Sequence, residues 1–330
     1  MDEHVENTAV ESANEIIEEL KEAAAVEQTE TPVQYKSLLF IINPVAGRKQ
    51  AMPYITDIIQ TFYDHGYITT TMLTTARGDA IKFAEEYAND YDLLVCLGGD
   101  GTFSEVVTGL AHAGIKKPVG YIPAGSTNDF AVTHKLATKV MDAAENIVTK
   151  DITPCDLGKI TDHYFSYVAA FGAFCSLSYG TSQKLKNALG HAAYMVRVIP
   201  ELMRLKSQYM RITDAEGNIY EDRFLYGSAC NSTSVAGMFE LPKDVVDTSD
   251  GKMEVILIHR PNNAKQFMDV VYAMFSQKYD KAECLDFFQT DHLHVESGDE
   301  ETDWTLDGEF FRAPISFDID NIHQFVQLKG

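Results

Sequence analysis

The stretch LLVCLGGDGTFSEVV, Leu93–Val107, decides how the chain is read. A continuous apolar run ends in Gly98, Gly99, Asp100, Gly101 and Thr102. Apolar residues at helical spacing follow. An unalternated apolar run marks a strand buried on both faces, the kind found in a parallel sheet covered by helices. In such sheets the loops at the carboxyl ends of the strands carry the ligand. Asp100 then lies at the mouth of a cleft, and an acid at the end of a buried strand needs a partner there.

The neighbouring sequence repeats this plan. YKSLLFIINPVAG, residues 35–47, is a second apolar run closed by a tight loop. KQAMPYITDIIQTFYDHG then places Ile55, Ile58, Ile59 and Phe62 at helical spacing and stops at Gly66. YITTTMLTT alternates as a strand, and GDAIKFAEEYAND is a helix with acids near its start. After the opening stretch, KPVGYIPAG is a strand and TNDFAVTHKL begins a helix. This alternation predicts an α/β domain with a parallel sheet. Past about residue 150 strand-like pieces follow one another, from CDLGKI to HQFVQLKG, with DAEGN as a hairpin turn. Helical segments interrupt them at 181–206 and near 262–280. The expected organisation is an acidic tail over 1–32 without a fixed fold, an α/β domain over 33–153, and a mainly antiparallel β-sandwich domain over 154–330.

Charge narrows the partners. The formal net charge is −22, of which residues 1–32 contribute −9 through ten acids and one Lys. A polyanion binder needs a basic face, so nucleic acid is an unsuitable partner. The five cysteines, Cys96, Cys155, Cys175, Cys230 and Cys284, are odd in number and widely spaced, with no CxxC. Reduced thiols in the cytoplasm are expected, with neither a disulfide frame nor a zinc site. From its acidic start MDEHVENTAV no secretory leader is expected, and no apolar run reaches the length of a membrane span.

Three glycine-containing loops end strands of the first half: NPVAG (Asn43–Gly47), GGDGT (Gly98–Thr102) and PAGSTNDF (Pro123–Phe130). Glycines let backbone N–H groups approach and point at an anion, and a following helix adds its positive end. Together the loops predict a phosphate chain as cargo. The chain lacks the P-loop GxxxxGK(S/T), the dinucleotide GxGxxG, the protein-kinase set, HExxH and GxSxG. DHLHVE reads as two exposed strand histidines, His292 and His294.

NPVAGRK, LGGDGTFSEVV, IPAGSTNDFA and a later LDGE together resemble the diacylglycerol kinase catalytic family, which includes a bacterial lipid-kinase branch and the sphingosine and ceramide kinases. GGDGT alone also occurs in NAD kinases; the combination with NPxxG and GSTNDF is what resembles a lipid kinase. The resemblance runs from about Lys36 to the C-terminus. It implies an ATP-dependent, Mg²⁺-requiring kinase that phosphorylates a lipid hydroxyl, diacylglycerol by default. By this resemblance Asn43, Pro44, Val45, Ala46, Gly47 and Thr74 contact the nucleotide, and Gly99, Asp100, Gly101, Thr102, Phe103, Ser104 and Glu105 wrap its phosphates. Ser126 adds a hydroxyl where the family has a threonine. Asp100, Asp129 and Asp156 form an acidic network around the catalytic Mg²⁺, partly through water. Asp307 or Glu309 of LDGE is the catalytic base. A structural Mg²⁺ is implied at DTSDGK, with a carboxylate from Asp250 and backbone carbonyls from Asp247 and Lys252.

Read by themselves, these residues leave alternatives open. Asp129 suits a helix cap, Asp156 a turn, and both Asp250-Gly251 and Asp307-Gly308 a hairpin turn. Asp307 and Glu309, two apart, share one face if both lie on a strand. The segment 181–206 holds Lys184, Lys186, Arg197, Arg204 and Lys206 against one acid, Glu201, with Leu185, Leu189, Tyr194, Val198 and Leu202 at helical spacing. It suits either peripheral contact with an anionic membrane or a packed helix with a solvated basic face. A homodimer stays open. The alternatives in function are NAD-kinase-type phosphorylation of a soluble nucleotide and a non-catalytic nucleotide-binding regulator.

Overall fold

The computed structural model describes residues 34–125, 128–172, 206–235, 239–241 and 245–330. The acidic tail over 1–32, Ser126, Cys175 and all of the basic segment except Lys206 lie outside the described residues.

The first half alternates as its sequence predicts. Its strands are β1 (Lys36–Ile42), β2 (Tyr67–Leu73), β3 (Leu93–Gly98) and β4 (Pro118–Pro123). Its helices are α1 (Ile55–Asp64), α2 (Asp79–Tyr87), α3 (Asp100–His112), α4 (Asp129–Thr133) and α5 (Val140–Thr149). β1 pairs with β3, and β3 with β4, in parallel. Successive side chains of a strand point to opposite faces, which explains why the apolar runs are continuous. Leu39, Ile41, Leu94 and Cys96 pack on α2 and α3, with Ala84, Phe103 and Val106. Leu38, Phe40, Ile42 and Val95 pack on the other face, with Ile58 and Phe62 of α1 and Ile147 of α5.

The second half is mainly antiparallel. It runs through β5 (Ile152–Ile160), β6 (His163–Phe165), β7 (Val168–Gly172), β8 (Gln208–Asp214), β9 (Ile219–Cys230), β10 (Ser234–Val235), β11 (Phe239–Glu240) and β12 (Met253–His259). After α6 (Ala264–Ser276) come β13 (Leu285–Thr290), β14 (His292–Glu296), β15 (Thr302–Leu306), β16 (Glu309–Ala313) and β17 (Ser316–Lys329). DAEGN closes the β8–β9 hairpin: the Asp214 carboxylate accepts from the N–H groups of Glu216 and Asn218, and Gly217 takes φ +85°. Phe171, Phe224, Val255, Leu257, Val295, Trp304 and Phe317 share one core between the strands, while α6 covers the opposite face over Tyr226, Ile256 and Ile258.

β17 joins the two halves. It runs antiparallel to β14 and β5, then ends parallel to β4, with Gln327 opposite Pro118 and Leu328 opposite Val119. Ser37–Gly330 is one compact unit. The β17–β5 register shifts between Ile322 and Val326, and Gln324 there has φ +50°. Asp156 of β5 fastens this bulge, as described below. Among the described residues no helix is long and apolar enough to cross a membrane. Cys96, Cys155, Cys230 and Cys284 are buried free thiols.

His259 of β12 sits between two carboxylates, with Nδ1 2.7 Å from Asp222 and Nε2 2.7 Å from Asp286. The hydrogen bond to Asp286 and then that to Asp222 raise its pKa, against burial. A raised folded-state pKa gives stability that is complete below the unfolded value near 6.5 and is lost as pH rises through the folded value. The melting temperature of wild type relative to His259→Gln is therefore expected to be higher at pH 6 than at pH 9, by about 2 °C. A pH-independent difference in calorimetry would refute this.

Candidate active site

Three loops meet backbone to backbone at the carboxyl ends of β1, β3 and β4. Gly47 has φ +52°, and a Cβ there would overlap the carbonyl oxygen of Ala124. A Cβ on Gly125 would lie 2.9 Å from the Cα of Gly99 and 2.8 Å from Asn128 Oδ1. Glycine is required because the loops themselves touch. Side chains then tie them. Asn43 Nδ2 donates to Thr102 Oγ1 at 3.1 Å, which ties the first loop to the second, and within the third loop the Gly125 N–H donates to Asn128 Oδ1 at 2.8 Å.

Asp100 is the second tie. It opens α3, but its carboxylate reaches the next loop and accepts from the N–H groups of Asp129 (3.0 Å) and Phe130 (3.3 Å) and from Tyr121 Oη (3.3 Å). GGDGT thereby caps the helix of GSTNDF across 29 residues of sequence. Burial, and then the Asp100 charge, push the Tyr121 phenol up, so it stays a proton donor.

A cavity of about 670 Å³ opens beside these loops, within the size range of small-molecule sites. The sequence-predicted residues on its wall are Asn43, Pro44, Val45, Ala46, Gly47 and Thr74 from one side, and Gly99, Gly101, Thr102, Glu105 and Glu309 from the other. The Glu105 carboxylate accepts from the N–H groups of Gly78 (2.9 Å) and Ala80 (3.3 Å), so it fastens the start of α2. Phe103 corrects its expectation: its ring is fully buried against Tyr121 and Phe130, off the cavity wall. Ser104 also points elsewhere, its Oγ donating to Asp307 Oδ2 at 2.9 Å.

Asp307 and Glu309 separate. Asp307 and Gly308 form a two-residue turn with φ +49° and +84° between β15 and β16, where Leu306 pairs with Glu309. Of the two alternatives left open for Asp307-Gly308 the hairpin turn holds, so the condition under which the two carboxylates share a strand face is not met. It is 8% exposed, and its carboxylate accepts from the N–H groups of Ser166, Tyr167 and Val168 and the hydroxyls of Ser166 and Ser104. Burial raises its pKa against those hydrogen bonds. Glu309 faces the cavity, 44% exposed, in an ion pair with Arg77. Burial raises its pKa, Arg77 opposes this, and Glu105 and Asp307 add to it.

Asp156 stands apart from the cavity wall. It is 2% exposed, and its two oxygens accept from the N–H groups of Gly251 (2.7 Å) and Gln324 (2.6 Å) and from Asn321 Nδ2 (2.9 Å), with His323 Nδ1 at 3.2 Å. It therefore joins the β17 bulge to the loop of Asp247, Asp250 and Lys252, where Asp250 Oδ1 accepts from the Lys252 N–H at 2.8 Å. Glu254 beside this loop is fully buried, with Oε2 lacking a partner. Burial, with the charges of Asp250 and Asp247 added, pushes its carboxyl up to about 7. His292 and His294 pair with Asp320 and Asp318 on the adjacent strand.

The sequence reading missed Thr75, Ala76, Arg77 and Gly125 on the cavity wall. The first three follow β2, at the carboxyl end of a sheet strand, so the rule that such ends converge would have found them.

The sequence matches the diacylglycerol kinase catalytic domain over residues 37–160. It is 32% identical over 231 residues to a diacylglycerol kinase of Staphylococcus aureus strain MRSA252, covering 70% of this chain and 73% of that one. The chain belongs to the diacylglycerol kinase family. It is 29% identical over 277 residues to a diacylglycerol kinase of Bacillus subtilis strain 168, covering 83% of this chain and 90% of the relative. A crystal structure of a diacylglycerol kinase from Bacillus anthracis shares the fold with a TM-score of 0.69 at 22% identity, covering 90% of this chain and 97% of that one. As a family member the chain is a kinase, a phosphotransferase that uses a nucleotide.

Asp307→Asn leaves the buried N–H donors of Ser166, Tyr167 and Val168 facing an amide. It is expected to lower stability by about 2 kcal/mol, read as a fall in melting temperature without nucleotide. An unchanged melting temperature would show that this carboxylate does not hold the turn.

Proposed function

We propose that this kinase transfers the γ-phosphoryl group of ATP to a lipid hydroxyl, with diacylglycerol as acceptor and phosphatidic acid as product, a step of phospholipid synthesis. One observation carries the reading: Glu309 of LDGE shares a cavity with the GGDGT glycines. A Cβ on Gly101 would lie 3.8 Å from Glu309 Oε1. A phosphate chain on that loop and a hydroxyl meeting Glu309 would be neighbours. The names of the Staphylococcus aureus and Bacillus subtilis relatives support the acceptor class. Residues 33–153 carry the nucleotide in this reading, and 154–330 carry the acceptor. The chain works in the cytoplasm and meets its lipid at the membrane surface.

Glu309 suits the base better than Asp307. Asp307 already accepts five hydrogen bonds, and a proton would displace donors it is built to hold. Glu309 is half-exposed on the cavity wall, and among the described residues its hydrogen-bond partner is an exposed arginine. It takes the proton of the acceptor hydroxyl as that oxygen bonds to the γ-phosphorus and the bond to the β–γ bridging oxygen breaks, releasing ADP. Most of the rate comes from positioning and charge stabilisation, as in phosphoryl transfer generally.

Mg²⁺ bound with the triphosphate would supply neutralisation of its charge. Among the described residues no group of three or more His, Cys, Asp or Glu is placed to hold a metal ion directly. The fit is to a cation that arrives with the phosphates and keeps its waters, met by Asp100 and Asp129 through those waters. Asp156 serves by fixing the β17 bulge. A second Mg²⁺ is assigned to the loop of Asp247, Asp250 and Lys252, beside which the buried Glu254 Oε2 has no partner among the described residues.

Incubation with labelled ATP, a fractionated lipid extract and NAD is expected to label phosphatidic acid. Glu309→Gln is expected to lower turnover about 10²–10⁴-fold with the melting temperature unchanged. Label in NADP, or full activity in that variant, would overturn the acceptor or the base respectively. Added Mg²⁺ is expected to raise the melting temperature of nucleotide-free wild type by roughly a few degrees and that of Asp250→Ala by much less. Equal shifts in both proteins would remove the second metal site.

A further inference from the structure

Arg77 carries a role beyond the motif residues. Among the described residues lining the cavity it is the one side-chain cation, against the acids Glu105 and Glu309. Glu105 is engaged by the N–H groups of Gly78 and Ala80. Arg77 holds Glu309 across the cavity, between segments 232 residues apart. Both ends of this pair stand on fixed backbone. Asp79 Oδ2 accepts from the N–H groups of Thr75 and Ala76, each at 2.8 Å, and from Thr75 Oγ1 at 2.9 Å. With Gly78 tied to Glu105, the loop bearing Arg77 is fastened on both sides of it. Glu309 follows the turn that Asp307 pins. The Arg77 side chain itself is 70% exposed, so it can turn while its backbone stays in place.

Resting on the kinase reading of this cavity, we infer that Arg77 is a nucleotide-phosphate ligand held by Glu309 until the nucleotide arrives. A guanidinium forms charge-assisted, two-pronged hydrogen bonds to a phosphate as well as to a carboxylate. A polyphosphate carries more charge than one carboxylate, and it enters a cavity whose described wall offers no other cationic side chain. The guanidinium exchanges Glu309 for the phosphates. The exchange frees the Glu309 carboxylate as the acceptor hydroxyl needs it, and losing the adjacent cation strengthens its hold on a proton. One residue thus couples filling of the nucleotide site to readiness of the base. Its action on phosphates is direct, and its action on proton transfer runs through Glu309.

The test uses the full chain, Mg²⁺ and the non-hydrolysable β,γ-imido analogue of ATP. Calorimetric titration of wild type and Arg77→Ala is expected to show affinity lower by about tenfold in the variant, with adenosine, which lacks phosphates, bound equally by both. In steady state the variant is expected to raise KM for ATP more than it lowers kcat. A crystal structure with the analogue is expected to show the guanidinium on a phosphate and away from Glu309. Analogue affinity within about twofold of wild type, or Arg77 still on Glu309 with the analogue bound, would overturn the inference. Failure of wild type to bind the analogue is a different result, and it would overturn the kinase reading itself together with this role.

Discussion

The site depends on a contact that no side chain makes: the backbones of Gly99 and Gly125 touching, with Gly47 against Ala124. Strands β1, β3 and β4 bring three loops to one edge, but a parallel sheet alone leaves about 4.8 Å between neighbouring strands. Loops that carry side chains at the contact would be pushed apart. Without a Cβ at these positions they close up, and their N–H groups can turn toward one space. Asp100 then locks the arrangement by capping α4 from the neighbouring loop. The acid that looked out of place at the end of a buried strand binds one loop to the next.

This contact also explains what the sequence made legible. The requirement for glycine falls on the loops themselves, so NPVAG, GGDGT and PAGSTNDF stand out along the chain, and the buried strands before them read as unbroken apolar runs. The residues that were harder to place have partners far away in sequence. Asp307 takes its donors from Ser166, Tyr167 and Val168, about 140 positions earlier. Asp156 takes two of its donors from residues 165 and 168 positions later. A short motif shows that a carboxylate is present without showing how many N–H groups converge on it. Phe103 shows the same limit in another form, since helical periodicity alone does not separate the cavity side of the first turn of α3 from its core side.

Placing these acids divides the carboxylates by how many donors each one holds. Asp156 and Asp307 are buried and saturated, and each joins segments that the fold must keep together: β5 to the β17 bulge and its neighbouring loop, and the β15–β16 turn to β7. Removing either leaves several buried donors without partners, at a cost of about 1–3 kcal/mol for each such group. Asp307, whose five hydrogen bonds a proton would disturb, is thereby a poor proton carrier. Glu309 is half-exposed and, among the described residues, holds an exposed arginine alone, so changing its protonation disturbs little else there. A mobile proton belongs on such a group.

The same reasoning bears on how an acidic wall admits a polyanion. With Glu105 and Glu309 both on the cavity, side-chain charge alone would repel a triphosphate. Glu105 is turned away into the first turn of α2, where N–H groups meet its charge. Glu309 is masked by Arg77. What the described wall then presents to an entering phosphate is the start of α3, with Gly99, Gly101 and Thr102, and that helix end carries roughly half a positive charge. Both carboxylates are thus met by local partners, and in the proposed reading only the Arg77–Glu309 pair, on the exposed side, can exchange for a ligand without unfastening a helix.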